Sequence, residues 1–70
     1  MNEKKIRESI ARQLSKRRKE VGKSLSQIER ETGITRQFVS SVEKGETNIQ
    51  AWRLAILAKA LGRSINYFIV

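Results

Sequence analysis

Cysteine, histidine, aspartate and proline are all missing from this sequence. Without cysteine there are no disulfides, no thiolate ligands and no thiol nucleophile, and zinc sites normally draw on cysteine and histidine. General acid–base catalysis most often uses histidine or paired carboxylates, and the seven acidic residues are all Glu. We therefore expect neither an enzyme nor a metal or cofactor site.

Long apolar runs are lacking as well. The longest apolar region, residues 51–61, is interrupted by Arg53 and Lys59 and is too short to cross a bilayer. The first ten residues alternate in charge and do not form the apolar stretch of a signal peptide. The sequence therefore predicts a cytoplasmic protein.

Positive charge, by contrast, is in excess. Fifteen Lys and Arg residues face seven Glu, which gives a net charge of +8 in 70 residues. Such a balance suggests a polyanionic partner, either nucleic acid or an anionic membrane surface, although it also serves solubility. Nine basic residues and three Glu give residues 1–23 a charge of +6, whereas residues 24–50 carry −1 and residues 51–70 carry +3. If the partner is a nucleic acid, residues 1–23 and 51–70 would supply the general attraction to its phosphate backbone, and residues 24–50 would supply sequence specificity.

Four glycines, at positions 22, 33, 45 and 62, divide the chain, and each follows a stretch with helical periodicity. No strand-like alternation appears, so residues 1–70 are predicted to form one all-α domain of five helices. The predicted helices cover about residues 4–21, 24–32, 35–44, 50–61 and 65–70. The first carries a narrow apolar stripe without aromatic residues, which disfavours an amphipathic membrane binder.

Capping and burial patterns refine three of these helices. Ser24 followed by Gln27 fits a capping box, and Thr35 is the next N-cap candidate. In the third helix Val39 and Val42 are predicted to point inward, with Ile34 packing from the turn. The outward positions are then Arg36, Gln37, Ser40, Ser41 and Lys44. The inward positions of the fourth helix are Ala51, Leu54, Leu57, Ala58 and Leu61.

Residues 24–44 form a helix-turn-helix candidate, because two short helices are joined by a tight turn at Gly33. The start of the third helix would offer free backbone N–H groups to a phosphate. Arg36 suits bidentate contact with guanine and Gln37 with adenine. The alternative is a solvated polar face capped by Thr35, but the basic charge and the preceding helix favour DNA binding.

The segments "RRKEVGKSLSQIERETGITRQFVSSVEKGETN" and "LAILAKALGRSINYF" resemble the phage repressor and Cro-like helix-turn-helix proteins, also called the xenobiotic-response-element type. The resemblance covers about residues 6–69. It implies a five-helix, lambda-repressor-like domain whose third helix enters the major groove of double-stranded DNA. By position it assigns base contacts to Thr35, Arg36, Gln37 and Ser41. It assigns contacts with the DNA backbone to Arg18, Lys23, Ser24, Phe38, Lys44, Thr47 and Asn48.

The same resemblance implies an ion pair between Arg18 and Glu43 that ties the first helix to the third; the alternative is two solvated charges. Three departures from the family pattern stand out. Glu29 occupies a position that is commonly small, so its charge needs a partner or a tilt of the helix. Leu25 replaces a common Gln, which removes one expected phosphate contact. Arg17 and Lys23 replace apolar residues, which predicts a thinner core near the first helix.

A dimer surface is expected within residues 49–70, because helix-turn-helix proteins commonly bind two half-sites about 34 Å apart as dimers. Its predicted members are Trp52, Ile56, Tyr67, Ile69 and Val70, with Phe68 in the core. The sequence therefore predicts a transcriptional regulator, a repressor acting as a homodimer on a palindromic operator. The alternative is an antitoxin or adaptor of the same fold whose main partner is a protein.

Overall fold

The computed structural model describes residues 2–69, and within that range every regular element is a helix. The helices are α1 (Glu3–Val21), α2 (Leu25–Thr32), α3 (Arg36–Glu43), α4 (Ala51–Ala60) and α5 (Asn66–Ile69). The prediction of an all-α, five-helix fold is confirmed, and the described helix ends lie within one residue of the predicted ones. Within residues 2–69, none of the helices combines the length and the apolar character that a membrane span requires.

One apolar core joins all five helices. Its most deeply buried side chains are Leu14, Ile28, Val39, Val42, Leu57, Leu61 and Phe68. Burial of each of these side chains contributes roughly 1.5–3 kcal/mol. This packing stabilises α2, α3, α4 and α5, which have ten residues or fewer and are too short to be stable alone. The predicted inward stripe of α4 is confirmed except at Ala51, which is exposed. That prediction was wrong because Ala51 opens the helix one turn before the stripe reaches the core at Leu54.

The turn between α2 and α3 is fixed by local hydrogen bonds. Gly33 has a φ of 78°, a left-handed conformation that only glycine adopts at no cost, and its N–H donates to the carbonyl of Glu29 at 2.9 Å. The hydroxyl of Thr32 donates to the carbonyl of Ile28 at 2.7 Å and accepts the N–H of Ile34 at 3.1 Å. These bonds orient α3 relative to α2.

The capping prediction for α2 is half right. Ser24 is the N-cap, and its Oγ accepts the N–H of Gln27 at 3.1 Å. The reciprocal bond of a capping box, in which Gln27 Oε1 accepts the N–H of Ser24, is absent within residues 2–69, and Gln27 Nε2 donates to Glu31 Oε2 at 2.8 Å. This charge-assisted hydrogen bond joins two side chains that lie one turn apart on α2.

Arg17 and Lys23, which stand at positions expected to be apolar, both bind the C-terminal end of α4. Arg17 Nε donates to the carbonyl of Leu61 at 2.8 Å, and Lys23 Nζ donates to the carbonyl of Ala60 at 2.8 Å. The last carbonyls of a helix lack intrahelical partners, and cations are favourable there. At these two positions hydrogen bonds to the end of α4 therefore take the place of apolar contacts.

Candidate nucleic-acid interface

The exposed face of α3 carries the five side chains that were predicted to point outward. Arg36, Gln37 and Lys44 are exposed, while Ser40 and Ser41 are half-buried between them. Together with Leu25 of α2 they border one shallow depression. Long polar side chains at both ends of the helix and small ones in the middle give a surface that can lie against a groove.

The N-terminal end of α3 is less free than the sequence suggested. Thr35 Oγ1 accepts the N–H of Phe38 at 3.2 Å, and Glu29 Oε1 accepts the N–H of Arg36 at 2.8 Å. The prediction of free N–H groups for a phosphate was therefore wrong for Arg36 and Phe38. The charge of Glu29, which was expected to need a partner, is thus stabilised by a hydrogen bond from the first amide of α3.

Arg18 and Glu43 form the expected ion pair between α1 and α3. Arg18 Nε lies 2.6 Å from Glu43 Oε2, and Arg18 Nη2 lies 3.0 Å from Glu43 Oε1. Arg18 Nη1 also donates to the carbonyl of Lys23 at 2.9 Å. The two side chains are only 15% and 9% exposed, and the hydrogen bonds to Glu43 raise the pKa of Arg18 above its usual value. The pair fixes α3 against α1.

The loop after α3 is held by the first turns of α1. Arg7 Nε donates to the carbonyl of Gly45 at 3.1 Å, and Arg7 Nη1 donates to Asn48 Oδ1 at 3.4 Å. Asn48 Nδ2 donates in turn to Glu3 Oε1 at 2.8 Å. Both ends of the Asn48 amide, a predicted DNA contact, are thus already bonded, whereas no hydrogen bond holds the half-buried Thr47 side chain within residues 2–69.

This chain matches the helix-turn-helix family HTH_3 over residues 14–68. The chain belongs to the HTH_3 family. It is 33% identical to an uncharacterized HTH-type transcriptional regulator of Haemophilus influenzae, over 93% of this chain and 71% of that protein. The resemblance noted from the sequence is confirmed, and the family is one of DNA-binding transcriptional regulators.

Solved structures agree on the fold. The HTH_3 chain superposes on an HTH_3 family transcriptional regulator from Vibrio cholerae with a TM-score of 0.89 and 28% identity, over 96% of this chain. The clp gene regulator ClgR from Corynebacterium glutamicum gives a TM-score of 0.83 over 87% of this chain, and at 24% identity it supports the fold alone. This chain spans 38% and 65% of those two chains, respectively.

Two residues of this HTH_3 chain that are predicted to contact phosphate, Lys23 and Ser24, differ in how far their side-chain donors are already hydrogen-bonded within the protein. Lys23 Nζ binds Glu31 Oε1 at 2.7 Å in addition to the carbonyl of Ala60. The hydrogen bonds from Lys23 and then Gln27 lower the pKa of the Glu31 carboxyl. Ser24 is exposed, and its hydroxyl hydrogen remains available to a phosphate oxygen while its oxygen caps α2.

Arg53 makes contacts beside α3 that the sequence did not predict. Its Cζ lies 4.8 Å from the ring centre of Phe38 and 5.0 Å from that of Trp52, within cation–π range of both. Phe38 is half-buried, so the guanidinium joins α3 to the start of α4 at the surface. Because α3 and α4 are separated by a loop in the sequence, no local pattern indicates this contact.

The side chains predicted for a dimer interface lie on two helices with different surroundings. On α4, Trp52 is 58% exposed and Ile56 38% exposed, and both line a groove that Phe38 and Arg53 also border. On α5, which packs on α1, Ile69 is 38% exposed. The Tyr67 ring is half-buried and meets Phe68 edge-on, with ring centres 5.0 Å apart. Val70 lies outside the described residues.

Proposed function

We propose that this HTH_3 chain is a sequence-specific regulator that inserts α3 into the major groove of double-stranded DNA. The observation that carries the proposal is the exposed face of α3, with Arg36 and Gln37 at its start and Lys44 at its end. Arg can contact guanine and Gln adenine in bidentate fashion. A basic net charge of +8 supports the general attraction to the phosphate backbone.

The proposal divides the contacts into two groups. Arg36, Gln37, Ser41 and Thr35 contact bases. The DNA backbone is contacted by Arg18, Lys23, Ser24, Phe38, Lys44, Thr47 and Asn48. Within the second group Arg18 acts chiefly by holding α3 in place, since its Nε, Nη1 and Nη2 all have protein acceptors. We further propose that the chain represses transcription as a homodimer on a palindromic operator in the cytoplasm.

Selection from a random double-stranded DNA pool, with the bound fraction sequenced, tests this function. An enriched palindromic motif with half-sites about one helical turn apart is the expected result for a dimeric regulator. Enrichment of a single short motif would retain DNA reading and reject the palindrome. Salt-sensitive binding without any enriched motif would contradict the proposal, because the basic flanks would then hold DNA without reading it.

Replacement of Lys44 by Ala is expected to weaken binding to all DNA sequences evenly. Lys44 is exposed at the C-terminal end of α3, and each phosphate contact contributes about 0.9 to the slope of log K against log salt. The measurement is the affinity for the selected site and for unrelated DNA at several salt concentrations. Lys59→Ala, an exposed lysine on α4 outside the proposed contacts, is the control. If the salt dependence of binding is the same for Lys44→Ala as for the wild-type chain, Lys44 does not contact phosphate.

Replacement of Trp52 by Ala is expected to weaken self-association at least tenfold, since a Trp that becomes buried between two protein chains is among the strongest contributors to binding. Analytical ultracentrifugation over a range of concentrations measures the effect, and the exposed Arg12→Ala is the control. Ile69→Ala distinguishes an interface at α4 from one at α5.

A wild-type chain that stays monomeric at every concentration would contradict the homodimer. It would favour the second candidate function, an antitoxin or adaptor of the same fold. The observation behind that candidate is the exposure of Trp52 and Ile56, which would suit a different protein as well as a second copy.

A further inference from the structure

Arg36, the first residue of α3, is held by two side chains of α2. Arg36 Nη1 donates to Ser26 Oγ at 3.2 Å, and the backbone N–H of Arg36 donates to Glu29 Oε1 at 2.8 Å. Ser26, Glu29 and Arg36 line one small depression of the surface. One residue of α3 is therefore fixed at its guanidinium and at its backbone by a neighbouring helix.

The bond to Ser26 leaves the base-contacting edge of Arg36 free. A guanidinium carries five N–H donors in a fixed plane. Within residues 2–69 the Ser26 bond is the only hydrogen bond made by the Arg36 side chain, through Nη1. The Nε–H and Nη2–H edge can therefore donate to O6 and N7 of a guanine while Nη1 stays on Ser26. An Arg side chain that is already oriented loses less rotamer entropy on binding.

Glu29 acts on the start of α3 in a different way. Its carboxylate accepts the first amide of the helix, where the positive end of the helix dipole lies. That amide would otherwise be available to a phosphate oxygen, and the negative charge of Glu29 repels phosphate from the same place. A base edge, which carries no net charge, is not repelled in this way.

We propose that Ser26 and Glu29 are positioning residues that set the base preference of α3 through Arg36. Ser26 orients the guanidinium, and Glu29 keeps the DNA backbone away from the start of the helix. This inference rests on the proposed function, because it assigns how the exposed face of α3 distinguishes one base pair from another. Both residues act through Arg36 or through charge, without contacting DNA themselves.

The test uses the site obtained by selection with the wild-type chain. The quantity measured is the discrimination ratio, which is the affinity for that site divided by the affinity for the site with the base pair read by Arg36 replaced. Ser26→Ala is expected to lower the ratio roughly threefold to tenfold, as expected for one hydrogen bond, and Ser26→Thr to retain it. In an Arg36→Ala background, Ser26→Ala should cause no further change, because the two residues act as one unit.

Two replacements of Glu29 separate the effect of its negative charge from its role as a hydrogen-bond acceptor. Glu29→Gln retains an oxygen for the Arg36 amide, so we expect the ratio to persist while affinity for all sequences rises with loss of the negative charge. Glu29→Ala removes the acceptor too and is expected to lower the ratio. Ser15→Ala and Glu8→Gln on α1 are the matched controls, since neither side chain makes a hydrogen bond or ion pair within residues 2–69. Circular dichroism confirms that each variant is folded at the temperature of the assay.

Unchanged ratios in both Ser26→Ala and Glu29→Ala, alongside a clear motif for the wild-type chain, would refute this inference and leave the proposed function intact. A higher ratio in Ser26→Ala would also refute it, because Ser26 would then hold Arg36 away from the base. Absence of any motif for the wild-type chain would refute the proposed function and this inference together.

Discussion

Replacement of Glu43 by Ala is expected to lower the free energy of unfolding by about 3 kcal/mol. The change leaves Arg18 without its carboxylate partner at a site where its side chain is only 15% exposed. A chain of 70 residues has a total stability of about 4–10 kcal/mol, so the variant loses a large part of it. Thermal unfolding followed by circular dichroism should show a midpoint lower by roughly 12–24 °C.

Two further variants separate the loss of a partner from the worth of the pair. Glu20→Gln removes an exposed partner 3.6 Å from Arg17 and is expected to cost less than about 0.5 kcal/mol. The double replacement of Arg18 by Met and Glu43 by Leu should recover most of the stability, because no buried charge is left unpaired. Equal losses for Glu43→Ala and Glu20→Gln would mean that the ion pair does not tie α1 to α3.

Replacement of Arg36 and Gln37 by Ala, singly and together, is expected to have the largest effect on DNA binding. Each bidentate contact with a base is worth about 1–3 kcal/mol, so the double variant should lose about 2–6 kcal/mol on the selected site if the two contacts are independent. Each single variant should relax the base preference at one position. Competition binding at fixed salt, with site variants at every position, measures both effects.

The controls for this pair are chosen by residue type. Arg12→Ala removes an exposed arginine from α1, and Gln50→Ala removes an exposed glutamine before α4 that makes no side-chain cap. Arg36→Ala also removes one positive charge, so a small loss on unrelated DNA is expected as well. Losses that are equal on all sequences would contradict base contact by both residues.

The elements of this fold could be predicted because their signals are local. Ser24 and Thr35 precede helices and cap them, and the glycine at position 33 ends α2 with a positive φ. The apolar positions of α3 follow from its period, since Val39 and Val42 are three residues apart and both are buried. Ala51 was predicted wrongly because a period alone does not show where a stripe meets its neighbour.

Most contacts of long polar side chains between helices could not be predicted, the Arg18–Glu43 pair implied by the family resemblance being the exception. Arg17 reaches a carbonyl 44 residues away at Leu61, and Glu29 reaches an amide seven residues away at Arg36. Arg53 meets Phe38 only because α3 and α4 fold against each other. Charge and periodicity place such residues on a helix face, but the acceptor they find depends on the packed arrangement. The roles of Thr35, Arg36, Gln37 and Ser41 toward bases remain predictions.

The bonds from Arg7 and Glu3 to the loop after α3 couple two parts of the chain that are distant in sequence. The Glu3–Asn48 bond spans 45 residues of sequence, and the Arg7–Gly45 bond spans 38. Unwinding of the first two turns of α1 would break the hydrogen bonds that Glu3 and Arg7 make with this loop. Local unfolding at the start of α1 would therefore loosen the segment beside the proposed DNA contacts, while the bonds from Gly45 and Glu46 to the end of α3 would still hold its first residues.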